Sequence, residues 1–302
     1  MSAYLHLLMS TTVPILIICL SGMLLQQRRP VDTKLLADIG LYIFAPALIV
    51  KALTDSRLQG RTVLDIFFFT VIMTLVLWIL AFLTAKIFKM PNKTAQALTL
   101  TTLFSNSNNY GLPVLLLAFG HRGFALGAIY VIGQIILVNI LGMYIASRSS
   151  MNGKQALIQI SKTPLIYAAI AGAALSLLHQ PLPIGIDEAA QLLGTAYPAL
   201  VLLILGVQLR RTHRSGLHRP EVWTGVILRI MAVPLLATVV LKLLGIHGLL
   251  ASVLLVQVSM PAAINTVLLA EKYDGDTGMI SLIVSITTIL SFVYLPVLIY
   301  FG

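Results

Sequence analysis

The chain has 302 residues, of which 58% are hydrophobic and 10% charged, and its mean hydropathy is +0.96. So little polar surface cannot cover a soluble globule of this length, which places the chain in lipid. The formal charge of +10 then points to loops facing anionic lipid headgroups, not to a nucleic-acid partner.

A helix crossing the ~30 Å hydrocarbon layer needs about 20 apolar residues, and the chain divides into ten such segments. The first, 4 to 25, carries Pro14 and the lone Cys19; no basic residue precedes it and it is long for a signal-peptide core, so it is expected to stay in the mature protein. Asp38 and Pro46 fall in the second, 34 to 53, and the third covers 63 to 88. The fourth, 93 to 117, contains the polar run Ser105-Asn106-Ser107-Asn108-Asn109 ahead of Gly111 and Pro113. Segments 122 to 147, 155 to 178 with Pro164, and 188 to 209 with Pro198 follow. Arg229 lies two turns into the eighth, 221 to 244; Pro261 interrupts the ninth, 248 to 270; the tenth is 277 to 301.

Pro14, Pro46 and Pro113 are answered by Pro164, Pro198 and Pro261 at offsets of 150, 152 and 148 residues. That spacing marks an internal duplication, with one half at 1–150 and the other at 151–302. Fourteen Lys and Arg residues fall in the loops after the odd-numbered segments and five in the loops on the other side. The positive-inside rule therefore puts both termini outside. Five segments per half is an odd number, so the second half enters the membrane in the opposite sense. The predicted fold class is an all-α integral membrane protein of ten transmembrane helices, two inverted five-helix repeats with helices 4 and 9 broken and crossed.

Lipid cannot satisfy freed backbone groups, so the polar run of the fourth segment must be buried in protein or line a cavity. Pro113 is suited to begin a half-helix and Gly111 to a tight unwound backbone, which predicts a break at about 108 to 112. The ninth segment mirrors it with Gln257, Ser259, Pro261, Asn265 and Thr266. Asn109 lies four residues before its proline and Asn265 four after. If the two breaks cross, half-helix N-termini present N–H groups to an anion, while opposing carbonyls with Asn and Ser oxygens suit a bare cation such as Na⁺. A proline kink capped by polar neighbours is the plain alternative.

The run Asn108-Asn109-Tyr110-Gly111-Leu112-Pro113 and the later Ser259-Met260-Pro261-Ala262-Ala263-Ile264-Asn265-Thr266 resemble signature stretches of the auxin efflux carrier family. Leu269 to Asp276 is similar to the segment that follows in its prokaryotic members. The resemblance covers essentially the whole chain. It implies a fold related to bile-acid/sodium symporters and sodium/proton antiporters, with helices 1, 2, 6 and 7 as a scaffold and helices 3–5 and 8–10 as a moving transport subdomain. It also implies a homodimer and organic-anion substrates, auxin in plants and carboxylates such as malate in bacteria. Plant members often insert a long hydrophilic loop between helices 5 and 6. This chain has only a short one, which makes a bacterial or archaeal plasma membrane its natural home.

The expected function is transport of a small organic anion by elevator-type alternating access. The substrate-binding candidates are Asn109, Asn265, Asn108, Asn106, Ser259 and Arg229, with Gly111, Pro113 and Pro261 shaping the breaks. Ser105, Gln257, Thr266, Glu271 and Asp38 are the candidates for ion coupling. For Glu271 and Asp38 the alternative is solvation at the interface; for Arg229 it is snorkelling to the surface, against pairing with the substrate or with Glu271. No cofactor is expected beyond Na⁺ or H⁺ as a coupling ion. With no carboxylate at the crossing, export down the gradient and potential is favoured over a Na⁺- or H⁺-coupled symporter. A non-transporting membrane sensor of the same anion is a further reading. An intramembrane hydrolase is not expected, because neither break holds a histidine to act as base.

Overall fold

The computed structural model describes residues 3–56, 60–142, 145, 158, 161–211 and 216–301. The midpoint at 150/151, the first residues of the sixth segment (155–157, 159 and 160), and the loop residues Arg57, Arg148, Lys154 and Arg214 lie outside them. All named elements are helices: α1 (Ala3–Arg28), α2 (Thr33–Ser56), α3 (Gly60–Ile87), α4 (Asn92–Leu103), α5 (Ser107–Gly142), α6 (Pro164–Leu177), α7 (Ile184–Arg211), α8 (Pro220–Leu243), α9 (Gly248–Val258), α10 (Asn265–Lys272) and α11 (Thr277–Phe301). Among the described residues, α1, α2, α3, α5, α7, α8 and α11 are long and apolar enough to cross a membrane. Shorter apolar helices, α6 and α9, accompany them. α5 is interrupted at Gly120, whose φ of 64° and ψ of −163° are not helical, so it comprises two helical pieces either side of a kink.

Several prolines are absorbed by a widened turn. π-helical turns at Leu8–Thr12, Gly40–Phe44, Ser107–Gly111 and Leu228–Ala232 each end two residues before a proline, namely Pro14, Pro46, Pro113 and Pro234. A proline ring collides with the carbonyl four residues back and offers no N–H. Widening the turn so that N–H groups reach five residues back opens the space the ring needs. Accordingly Val13, Ala45 and Val233, each just before its proline, donate to the carbonyls of Leu8, Gly40 and Leu228.

The chain forms two compact units. The first gathers Met1–Ile66, Asn108–Ile132 and Gln159–Arg211. Lipid tails are as apolar as leucine, so helices in a membrane associate through close packing of small residues. This unit does so at three contacts. A Cβ on Gly206 of α7 would stand 2.0 Å from the Cys19 carbonyl oxygen of α1, and one on Gly22 would stand 2.2 Å from that of Leu203. Gly172 of α6 rides on Val50 and Leu53 of α2, and Gly194 of α7 on Leu48. A polar pin joins α2 to α7, where Lys51 Nζ lies 2.6 Å from Asp187 and 3.2 Å from Asp55.

The second unit gathers Phe67–Ser107, Gly133–Ile158 and Thr212–Gly302. Gly225 of α8 faces Ile283 of α11 and Leu98 of α4, with Met279 and Ile280 fully buried nearby in sequence. Gln96 of α4 donates to the Ile145 carbonyl at 2.7 Å. The turn between α10 and α11 is tied at two points. Lys93, on the first turn of α4, pairs with Asp274. Arg219, just ahead of α8, clamps Asp276 with Nη2 at 2.6 Å and Nη1 at 3.3 Å, while Asp276 accepts the Met279 N–H at 3.0 Å and so caps α11.

Candidate functional site

Within the second unit two helices end in mid-course and meet through their unwound backbones. α4 stops at Leu103, and Phe104 turns extended (φ −103°, ψ 118°). α9 stops at Val258. The two loose stretches pair antiparallel about Ser105 and Ala262: the Asn106 N–H donates to the Pro261 carbonyl at 2.8 Å and the Ala263 N–H to the Phe104 carbonyl at 2.9 Å. The break in the fourth segment thus falls at 104–106, not at 108–112. Gly111 and Pro113 lie inside the following half-helix, because the widened turn at Ser107–Gly111 accommodates the ring without interrupting the helix. Pro261 does sit in the unwound stretch, so the two repeat-related prolines occupy different local structures.

Several of the backbone groups freed on the α9 side find partners on neighbouring helices, as buried backbone requires. Arg229, fully buried in the widened turn of α8, donates through Nη2 to the Val258 carbonyl at 2.7 Å and through Nε to the Met260 carbonyl at 2.8 Å. Its Nη1 reaches across to the Thr102 carbonyl at the end of α4, also at 2.7 Å. Tyr294 of α11 donates its hydroxyl to the Ser259 carbonyl at 2.8 Å, and the Thr287 hydroxyl accepts the Ala262 N–H at 3.3 Å. The Thr266 hydroxyl donates to the Ala263 carbonyl, and the Thr266 N–H reaches the same oxygen at 3.1 Å.

The side chains are less well provided for. The Thr102 and Ser105 hydroxyls, the Asn106 side-chain nitrogen and the Ser259 hydroxyl are buried without a hydrogen-bond partner among the described residues. All four lie on the paired stretches or within three residues of the Ser105–Ala262 bridge. An unpaired buried polar atom costs about 1–3 kcal/mol. A cluster of them beside two paired backbone stretches suits a polar ligand or water.

The membrane transport protein family matches this chain over residues 7–156 and again over 149–299. The chain belongs to this auxin efflux carrier-like family. It is 27% identical over 293 residues to an uncharacterized transporter of Methanothermobacter thermautotrophicus, covering 95% of each chain. To an uncharacterized transporter of Methanocaldococcus jannaschii it is 28% identical over 271 residues, covering 85% of this chain and 86% of the other. It is a multi-pass membrane transporter.

In this carrier the anticipated site residues separate into three groups. Ser105, Asn106, Gln257, Ser259, Thr266 and Arg229 are all buried in the second unit at or beside the crossing. Asn265 opens α10 and is exposed. Asn108 and Asn109 belong to the first unit. There the Asn108 amide donates to the Asn109 side-chain oxygen at 3.1 Å and accepts the Tyr197 hydroxyl at 3.1 Å. Asp38, in α2 of the first unit, and Glu271, on the last turn of α10, are both exposed. Arg229 does not snorkel, since none of its surface is exposed and its nitrogens are turned onto carbonyls. Nor is Glu271 placed to neutralise it, as Glu271 faces outward and has no ion-pair partner among the described residues.

Sequence reasoning missed Tyr294, Thr287, Thr102 and Tyr197. The available signal was the hydroxyl stripe Ser285, Thr287, Thr288 and Ser291, all buried along an otherwise apolar α11. Outside the spans, burial raises the Asp276 carboxyl, but the Arg219 hydrogen bonds, the Met279 N–H and the charges of Arg219 and Lys93 outweigh it and hold the group below its ordinary range. Arg219 is pushed up by its hydrogen bond to Asp276, and Asp274 is held down by its hydrogen bond to Lys93.

Proposed function

We propose that this transporter carries a small organic anion, auxin-like or a carboxylate, bound where the unwound stretches of the fourth and ninth spans cross. The observation that carries this reading is the set of orphaned polar atoms on Thr102, Ser105, Asn106 and Ser259 beside the paired stretches. The sign of the ligand's charge follows from the helix ends. A helix carries about half a negative charge at its C-terminus and half a positive charge at its N-terminus. Arg229 offsets the C-terminal ends of α4 and α9. The N-terminal ends at Ser107 and Asn265 are left without an acidic side chain in their first turns, and their uncompensated positive ends suit an anion.

The ten-span architecture of two inverted five-helix repeats is supported by the paired breaks, by the kink at Gly120 that divides the 36-residue stretch Ser107–Gly142, and by the short helices α6 and α9. An elevator motion of a transport subdomain past a scaffold is supported by α1, α2, α6 and α7 clustering in one unit, although residues 108–132, expected in the moving subdomain, share that unit. A homodimer formed through that scaffold, a plasma-membrane location and external termini complete the proposal. The exposed Ile17, Leu20 and Leu24 share one face of α1 and supply apolar surface for lipid or a second copy.

The test is flux into proteoliposomes for a panel of dicarboxylates and indole acids, with Asn106→Ala and Ser259→Ala alongside Asn109→Ala and Asn265→Ala. Saturable flux that falls at least ~10-fold in the first two, a loss of about 1.4 kcal/mol in transition-state stabilisation, supports the crossing as the transport site. Flux unaffected by either substitution refutes it. A panel acid that raises the melting temperature but is never moved favours a sensor, and flux requiring a Na⁺ or pH gradient favours a coupled symporter.

A further inference from the structure

The crossing already contains a cation. The Thr102, Val258 and Met260 carbonyls lie at or just beyond the C-terminal ends of two half-helices, and all three accept from one guanidinium at 2.7 to 2.8 Å. Carbonyl oxygens freed at half-helix C-termini are the ligands that hold Na⁺ in coupled carriers built on broken helices. Here the oxygens point inward at Arg229, which has no exposed surface. A guanidinium does not lose its proton in proteins, and unlike a bound ion it cannot leave with the substrate. Its three contacts also come from both broken spans, so the charge joins the end of α4 to the unwound stretch after α9. The widened turn before Pro234 contains the residue that delivers it.

We propose that Arg229 is the resident cation of the crossing and fills the place a coupling Na⁺ would take, so that the loaded and empty sites have the same cation content. This rests on reading the crossing as the transport site, but its test needs no transported substrate, so the two can fail separately. Purified protein is melted in NaCl and in choline chloride at equal ionic strength, with the fluorescence of Trp78 and Trp223, both in the second unit, as the readout; wild type, Arg229→Ala and Arg229→Lys are compared. Wild type is expected to melt at the same temperature in both salts. Arg229→Ala is expected to melt lower in choline and to gain a saturable rise of ~3 °C or more with Na⁺ or methylguanidinium, the size that occupancy well above Kd gives a protein of this class. Arg229→Lys, which keeps the charge, is expected to ignore Na⁺ as wild type does, and it carries the comparison if the alanine variant does not accumulate. A Na⁺-specific rise in wild type or in Arg229→Lys would overturn the proposal. So would an alanine variant that folds yet responds to neither cation.

Discussion

Replacing Gly206 with alanine tests whether the first unit is held by backbone contact between α1 and α7. The new Cβ would stand 2.0 Å from the Cys19 carbonyl oxygen, whereas real Cβ contacts essentially never fall below 3.0 Å, so the helices must part by about 1 Å. A gap of that order forfeits a quarter to a half of the dispersion energy of the atoms along the seam, and overpacking of this kind costs about 1–3 kcal/mol. Ala restores up to about 1 kcal/mol of helix propensity over Gly, which leaves a net loss of about 1–2 kcal/mol. Gly22→Ala, at 2.2 Å from the Leu203 carbonyl oxygen, forces the same separation from the other side of the seam. Once the helices have parted for one methyl, the second enters space already open. The double variant is therefore expected to lose less than the sum, with a coupling of order 1 kcal/mol. The assay is built in: Cys19 is the chain's single cysteine and is 2% exposed, so its labelling by a maleimide during heating reports the opening of this seam. Gly185→Ala, with nothing within 4 Å of its new Cβ, is the control and should be neutral or slightly stabilising. Full additivity of the two substitutions, or single variants that label no earlier than wild type, would refute the reasoning.

Three further outcomes follow from the second unit. Tyr294→Phe removes one hydroxyl without changing the packing volume much and strands the Ser259 carbonyl in a fully buried position; a loss of about 1–3 kcal/mol is expected, read as a lower melting temperature, and an unchanged one would show the carbonyl finds another donor. Asn106→Ala and Ser259→Ala are expected to abolish transport while leaving melting unchanged or raised, because they delete polar atoms that have no partner; a marked drop in melting would assign these side chains to the fold instead of the ligand. Asp276→Asn should lower stability at neutral pH by about 1 kcal/mol, through loss of an ion pair and part of a helix cap. Since the folded carboxyl titrates below its ordinary value, its contribution is present above pH ~4 and fades as pH falls through the depressed pKa. Melting curves of the two proteins should therefore converge in acid, and a constant gap at every pH would count against the carboxylate.

Much of the architecture was legible because lipid imposes strong rules. The positions of α1, α2, α3, α7, α8 and α11 followed from runs of apolar residues long enough to cross the membrane, and a proline among carboxamides and hydroxyls marked each interrupted segment. The position of the first break was misread by a few residues for a definite reason. Pro113 was expected to begin a half-helix because a proline inside an α-helix meets a carbonyl four residues back, yet a single widened turn removes that conflict. The same device at Pro14, Pro46 and Pro234 shows that proline in this chain is weak evidence for a break. The better signal is an accumulation of buried hydrogen-bonding side chains with no apolar face of their own, and Ser105 with Asn106 meet that description while Gly111 and Pro113 do not.

What remained hidden depends on which group meets which across the fold. A lone arginine in an apolar segment reads equally as a snorkelling side chain or as a partner for a carboxylate, since both satisfy its charge. The third solution, a guanidinium shared among carbonyls of two interrupted helices, requires those helices to end close together, which no single segment encodes. The same dependence explains Tyr294 and Thr287: each sits in a span whose hydropathy marks it as ordinary, and each meets a backbone group freed by Pro261 about thirty residues earlier. The unwound stretch therefore persists because α8 and α11 carry donors and acceptors at matching heights. Without Arg229, Tyr294 and Thr287, α9 would have an incentive to extend past Val258 and recover its own carbonyls, drawing Ser259 back into a helix and away from the other orphaned side chains.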